Sequence, residues 1–304
     1  MNELLIKREI NESISKDEFH SDILCLFKNL EESYGLYEYF GKERFDFAKD
    51  NILKLEYKDL DSAISYIREQ LSFIKDGHFF IGKPKEIVNQ YDYAITYSTY
   101  KGVKVIDCKK FYYDNDKERE ELEFFEKNVD AYRNNDPLIL DLRDNHGGSS
   151  LYIYNFLVNL LQNDEIGYSF KLLERNSKLI EDAIGQEYLS DNPDVWVENK
   201  DNIIKNNKRI YVLFNENSAS ASEEALAYFR NMENVILVGS HSNGSFSCGN
   251  CISIYLPNSH LEVYFGTSAL LYFLDDKYVN IDSIGGFKGD ISIEDFDKLI
   301  FSKC

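Results

Sequence analysis

Between Arg209 and Cys251 the chain reads RIYVLFNENSASASEEALAYFRNMENVILVGSHSNGSFSCGNC, and this stretch limits the fold more than any other. Ile210 to Phe214 is a short apolar run without polar alternation, as expected of a strand buried on both faces of an α/β sheet. Small residues follow, Ser218-Ala219-Ser220-Ala221-Ser222. A helical pattern comes next, with Ala225, Leu226, Phe229 and Met232 on one face, and a second apolar strand begins at Val235. In sheets of this kind reacting groups sit just past the carboxyl ends of the strands. The hydroxyls of residues 218–222 are therefore the first candidates for chemistry.

Two readings of Ser220 compete. Ser220-Ala221-Ser222-Glu223 matches S-x-x-E, a capping box in which the serine only satisfies orphan amides at a helix start. Alternatively Ser220 is a nucleophile, with the oxyanion of its reaction held by the amide that follows it. Four letters do not separate the two.

Four blocks together decide the context: IKDGHFFIG at 74–82, PLILDLRDNHGGS at 137–149, VLFNENSASASEEALAYF at 212–229 with VILVGSHSNGS at 235–245, and NIDSIGGFKGDISI at 280–293. In content, order and spacing they resemble the S41 family of serine peptidases, the C-terminal processing or tail-specific proteases and their tricorn-like relatives. The resemblance implies a crotonase/ClpP-like α/β core of stacked βα units and a peptide-hydrolysing activity that needs no metal or organic cofactor. It implies that Ser220 is the nucleophile, and that Gly147 or Gly148 forms the oxyanion hole with the amide of Ala221. Many members use a lysine as base. Here the corresponding loop is Ser242-Asn243-Gly244-Ser245, without a lysine, so a Ser–Lys dyad is excluded. The DGH block resembles that of the lysine-free, tricorn-like branch, which implies His78 as base. Asp282 aligns with the acid that orients it. Loss of the lysine also supports a rival reading, an inactive relative that keeps its cleft as a peptide- or ligand-binding module. A hydrolase of small amides or esters on the same fold is a third.

The chain has 304 residues, 43% hydrophobic and 14% aromatic, enough for a substantial core. Its formal charge is −19, with 53 acidic against 34 basic side chains, which argues against nucleic acid and anionic membranes as partners. A peptide or protein substrate is the expected partner. The start, MNELLIKREINES, lacks the apolar core of an export signal, and no apolar run approaches the length of a membrane span. The expected location is cytoplasmic. Five cysteines are too few and odd in number for a disulfide framework. Cys248-Gly249-Asn250-Cys251 reads as a tight turn between strands, without the strand–helix context of a redox motif or the second ligand pair of a zinc site.

Along the chain, Ser15-Lys16-Asp17-Glu18 is another capping box, ahead of Phe19, Ile23, Leu26, Phe27, Leu30 and Tyr34 at helical spacing. Leu60, Ile64, Ile67, Leu71 and Ile74 mark a second long helix. Residues 1–75 are expected to form an N-terminal helical domain and residues 76–304 the catalytic core. Lys83 to Tyr113 falls below the roughly 50-residue lower end of domain size, so no PDZ module is expected there. Lys117 to Arg133 reads as one surface helix, Leu138 to Leu142 as a buried strand, and residues 165–208 as irregular.

Overall fold

The computed structural model describes residues 2–84, 90–133 and 136–301. Contacts group the chain into two compact units. One comprises Met1–Ile87, Lys171–Glu198 and Ser247–Leu271, and the other Val88–Phe170, Asn199–Phe246 and Tyr272–Cys304. The N-terminal helices thus share their unit with strands from much later in the chain.

In the first unit, helix Lys16–Ser33 begins at the expected capping box, in which the Glu18 carboxylate takes the Ser15 amide at 2.7 Å. Its face of Phe19, Ile23, Leu26, Phe27 and Leu30 is buried. Helix Leu60–Gln70, capped by Asp59, buries Leu60, Ile64 and Ile67. Both faces join Ile252, Ile254, Val263 and Phe265 in one apolar cluster. These four residues lie on the antiparallel strands Cys248–Tyr255 and Glu262–Leu274. Isolated helices of this length are marginal in water, so the shared core rather than helix propensity holds them. Strand Phe80–Gly82 pairs antiparallel with Glu262–Tyr264, which fixes the turn just before it, at His78.

The second unit is built on a five-stranded sheet in the order Ile95–Tyr100, Val103–Cys108, Leu138–Asp141, Ile210–Leu213, Val235–Val238. The first two strands form an antiparallel pair and the remaining neighbours are parallel. Parallel strands need long crossovers, usually helical. Helices Asp116–Lys127, Leu151–Leu161 and Ala221–Arg230 each lie in one of those connections. The two central strands are buried at every position, which is why they read as unbroken apolar runs. Helix Ile293–Phe301 adds Phe296 to the cluster of Val105, Ile139, Tyr211, Leu213 and Val238. Among the described residues, no helix is long and apolar enough to cross a membrane.

Candidate active site

The loops leaving the two central strands are stitched together hydrogen bond by hydrogen bond. The Leu142 amide donates to the Leu213 carbonyl at 2.7 Å, and the buried Ser218 hydroxyl donates to the Leu142 carbonyl at 2.8 Å. Asp144 accepts from the side-chain amides of Asn215 and Asn217, each at 2.9 Å. The Asn217 and Asn215 bonds hold its carboxyl below the usual range. Asn145 is fully buried. Its side chain donates to the Cys108 carbonyl at 3.1 Å, and its backbone carbonyl accepts the Ala219 amide at 2.9 Å. The polar residues of both motifs are thus consumed in joining one loop to the other.

That stitching presses Gly147 against Ser220. A Cβ placed on Gly147 would lie 2.6 Å from the Ser220 Cβ and 2.8 Å from the Ala219 carbonyl oxygen, and Gly147 has φ +94°. Only glycine fits. We expect Gly147→Ala to cost at least ~2 kcal/mol of stability, from overpacking plus a left-handed backbone, and to cut turnover by about 100-fold or more, because a 1 Å displacement of reacting groups has that effect. Chemical denaturation with parallel rate assays checks both. Near-wild-type values in each would mean the loops can part without consequence.

The two glycines differ in what their amides do. The Gly147 amide is taken by the Asn145 side-chain oxygen at 2.8 Å. Phe111 braces the flanking positions, its amide donating to the Gly147 carbonyl and its carbonyl accepting the Ser149 amide, each at 2.8 Å. Phe111 is itself set by its neighbour Lys110, buried in an ion pair with Glu118 at 2.8 Å. The Gly148 amide takes no part in these bonds among the described residues.

Ser220 has φ 57° and ψ −123°, a conformation that non-glycine residues adopt only when the surroundings impose it. Ser220 and Glu223 form the capping box expected from the sequence at the start of helix Ala221–Arg230. The Glu223 amide binds the Ser220 carbonyl at 2.7 Å, and the Glu223 carboxylate takes the Ser220 amide at 3.1 Å. Glu223 is fully buried and gathers three further donors. These are the Ser242 hydroxyl at 2.6 Å and the amides of Gly244 and Ser245 at 2.9 and 2.7 Å. Burial pushes its carboxyl upward and these four bonds oppose the push. The Ser245 hydroxyl donates to Asn243 at 2.6 Å. Asp282 is also buried and accepts the Phe246 amide at 2.9 Å. His146 and His241 are exposed.

In the first unit, His78 follows a turn built on Asp76, whose carboxylate accepts the His78 amide at 2.8 Å and the Tyr34 hydroxyl at 2.9 Å. The His78 ring sits edge-on to Tyr264, centroids 6.4 Å apart. Burial lowers the imidazole below its ordinary 6.5, while the Asp76 charge and the Cys248 backbone pull the other way. Among the described residues no cluster of three or more His, Cys, Asp or Glu side chains could hold a metal ion. Cys25, Cys108, Cys248 and Cys251 are free thiols.

Ser220 thus stands in a strained turn between the buried strand Ile210–Leu213 and helix Ala221–Arg230, faced by the Gly147 loop. The sequence model of Peptidase family S41 matches residues 102–282, more than half of the chain. This protein belongs to peptidase family S41. No curated protein matches it. Among solved structures, it is similar to a candidate peptidase of Parabacteroides merdae at 17% identity and TM-score 0.59, covering 94% of this chain and 93% of that one. It is similar to a mutant form of CPAF at 10% identity and TM-score 0.59, with 91% and 93% covered. A lipoprotein from Streptococcus agalactiae gives 13% identity, TM-score 0.52, with 94% and 97% covered. At these identities the likeness concerns the fold alone.

Asn145, Phe111 and Asp76 were missed as supporting residues by the sequence reading. The first two have no signal of their own. Asp76 was within view, two residues before His78, as an aspartate able to bond its own backbone.

Proposed function

We propose that this chain is a serine peptidase in which Ser220 attacks the peptide carbonyl and His78 takes its proton. The observation that carries the reading is the strained Ser220 backbone, φ 57° and ψ −123°, held against Gly147. Strain of this kind costs about 1–3 kcal/mol and clusters at functional sites. A mere capping serine has the extended backbone of Ser15, φ −73° and ψ 168°. The amides of Gly148 and Ala221 hold the oxyanion in this reading, and Gly147 supplies the close approach. The imidazolium then protonates the leaving amine, and water completes hydrolysis of the acyl-enzyme through the same base. Labelling with a fluorophosphonate and mapping of the modified residue is the test. Modification at Ser220 supports the reading, whereas a resistant protein that still binds peptides would establish the binding-module alternative, which the serine at position 245 favours.

The base makes a prediction about pH. His78 must be neutral to accept a proton, and burial lowers its pKa from the ordinary 6.5, so the neutral form persists to more acid pH than for a free imidazole. The rate of Ser220 labelling should rise with pH through one ionisation centred below about 6.5. A midpoint well above that value would point to a different base.

A further inference from the structure

We propose that Asp76 is the positioning residue that orients the His78 imidazole. This rests on the reading of Ser220 and His78 as nucleophile and base. The Asp76 side chain is fully buried, and its Oδ1 lies 3.8 Å from Nδ1 of His78, whose side chain is 11% exposed. That Nδ1 is buried and has no hydrogen-bond partner among the described residues. The gap exceeds a hydrogen bond by less than about 1 Å, and catalytic hydrogen bonds are often long before substrate binds. The carboxylate itself cannot drift, because the His78 amide anchors Oδ1 and the Tyr34 hydroxyl anchors Oδ2. A small turn of the ring closes the distance. The ring's present bond to the Cys248 backbone favours its protonated form; donation from Nδ1 to Asp76 in its place fixes the tautomer with the lone pair on Nε2, the form a base needs.

Two titratable side chains on the strands beside the ring are pushed toward their neutral forms. Burial pushes the Cys251 thiol up to about 12 and the Tyr264 phenol upward. Burial pushes the Asp76 carboxyl upward, and the His78 charge, the His78 amide and the Tyr34 hydroxyl oppose that push; the Cys248 thiol donates to the Ser268 carbonyl at 3.0 Å. Asp76 is thus the acidic side chain beside the imidazole within its unit. Asp282, the acid expected from the sequence, spends Oδ1 on the Phe246 amide.

The test uses the full chain with nitrogen-15-labelled histidine, the His78 signal being assigned by its loss in His78→Gln. Asp76→Asn should lower the His78 pKa, because the charge favouring the imidazolium is gone, and should shift the neutral ring away from the Nδ1–H tautomer. Tyr34→Phe should raise that pKa, because the carboxylate loses a competing donor. The Ser220 labelling rate by fluorophosphonate should fall about 10⁴-fold in Asp76→Asn, as when a triad aspartate is replaced, and Asp282→Asn should leave the His78 titration unchanged. If neither Asp76→Asn nor Tyr34→Phe moves the titration, or if Asp282→Asn moves it instead, the inference is wrong even though Ser220 and His78 keep their roles. If His78→Gln labels as fast as wild type, the base reading fails separately, and the NMR arms still decide whether Asp76 governs the ring. Should Asp76→Asn not fold, Tyr34→Phe carries the test alone.

Discussion

Replacing Ser220 with alanine is expected to lower kcat by about 10⁶-fold, the loss found when a nucleophilic serine is removed from a working triad. Replacing it with glycine should do the same to activity and the opposite to stability. At φ 57° and ψ −123° a Cβ is strained whether it belongs to serine or alanine, so Ser220→Ala keeps the strain and Ser220→Gly releases it. Glycine pays roughly 0.5–1 kcal/mol for its freer unfolded chain, against about 1–3 kcal/mol of strain relieved. Ser220→Gly should therefore be more stable than Ser220→Ala by on the order of 1 kcal/mol. Urea unfolding of the two inactive variants measures this without any substrate. Equal midpoints would remove the strain argument, and residual turnover in both would remove Ser220 from the chemistry.

The parts of the fold legible in the sequence are those whose residues are set by their own neighbourhood. Ile210–Leu213 and Leu138–Asp141 are strands where the unbroken apolar runs placed them, and the helix expected through Leu71 and Ile74 is present as Leu60–Gln70, ending before those two residues. Where distant pairing decides, the reading differed from the structure. Cys248-Gly249-Asn250-Cys251 is not a turn but the opening of strand Cys248–Tyr255, paired with Gly266, Ser268 and Ala269. Asn250, at φ 51°, carries the turn-like signal inside a strand. Residues 165–208, read as irregular, hold strand Phe170–Glu174 and helix Lys178–Ile184. The single helix expected from Lys117 to Arg133 breaks at Asn128 into Asp116–Lys127 and Asp130–Arg133.

The site divides along the same line. Ser220, Gly147 and Gly148 stand in motifs and were legible there. What their amides and carbonyls do was not, because the bonds that occupy the Gly147 amide and carbonyl come from Asn145 and Phe111. Periodicity records which face of a strand is buried, whereas it holds no record of which acceptor reaches a given amide across a loop.

Glu223 shows how far such an acceptor can matter, and its removal carries the largest expected loss of stability. Its carboxylate takes the Ser220 amide, the Gly244 and Ser245 amides and the Ser242 hydroxyl, in a place with no exposure to solvent. The Ser242 oxygen in turn accepts the Phe287 amide at 2.8 Å. Glu223→Ala would strand these donors where water cannot replace the acceptor, at about 1–3 kcal/mol for each buried group left unmet. Relaxation of the loop recovers part of that cost, so a net loss of roughly 3–5 kcal/mol is expected. Glu223→Gln should lose less. Its carbonyl keeps one side of the network, and its amide can donate to the Ser242 oxygen, but at least one backbone amide then faces an NH₂ group. The expected order of unfolding midpoints is wild type, Gln, Ala, and activity should fall in the same order because the Ser220 turn loses its anchor. An alanine variant within about 1 kcal/mol of wild type would show that the loop of residues 242–245 is held by other means. A glutamine variant that is stable but slow in turnover would separate the two duties of Glu223, supporting the loop and setting the angle at which Ser220 meets its substrate.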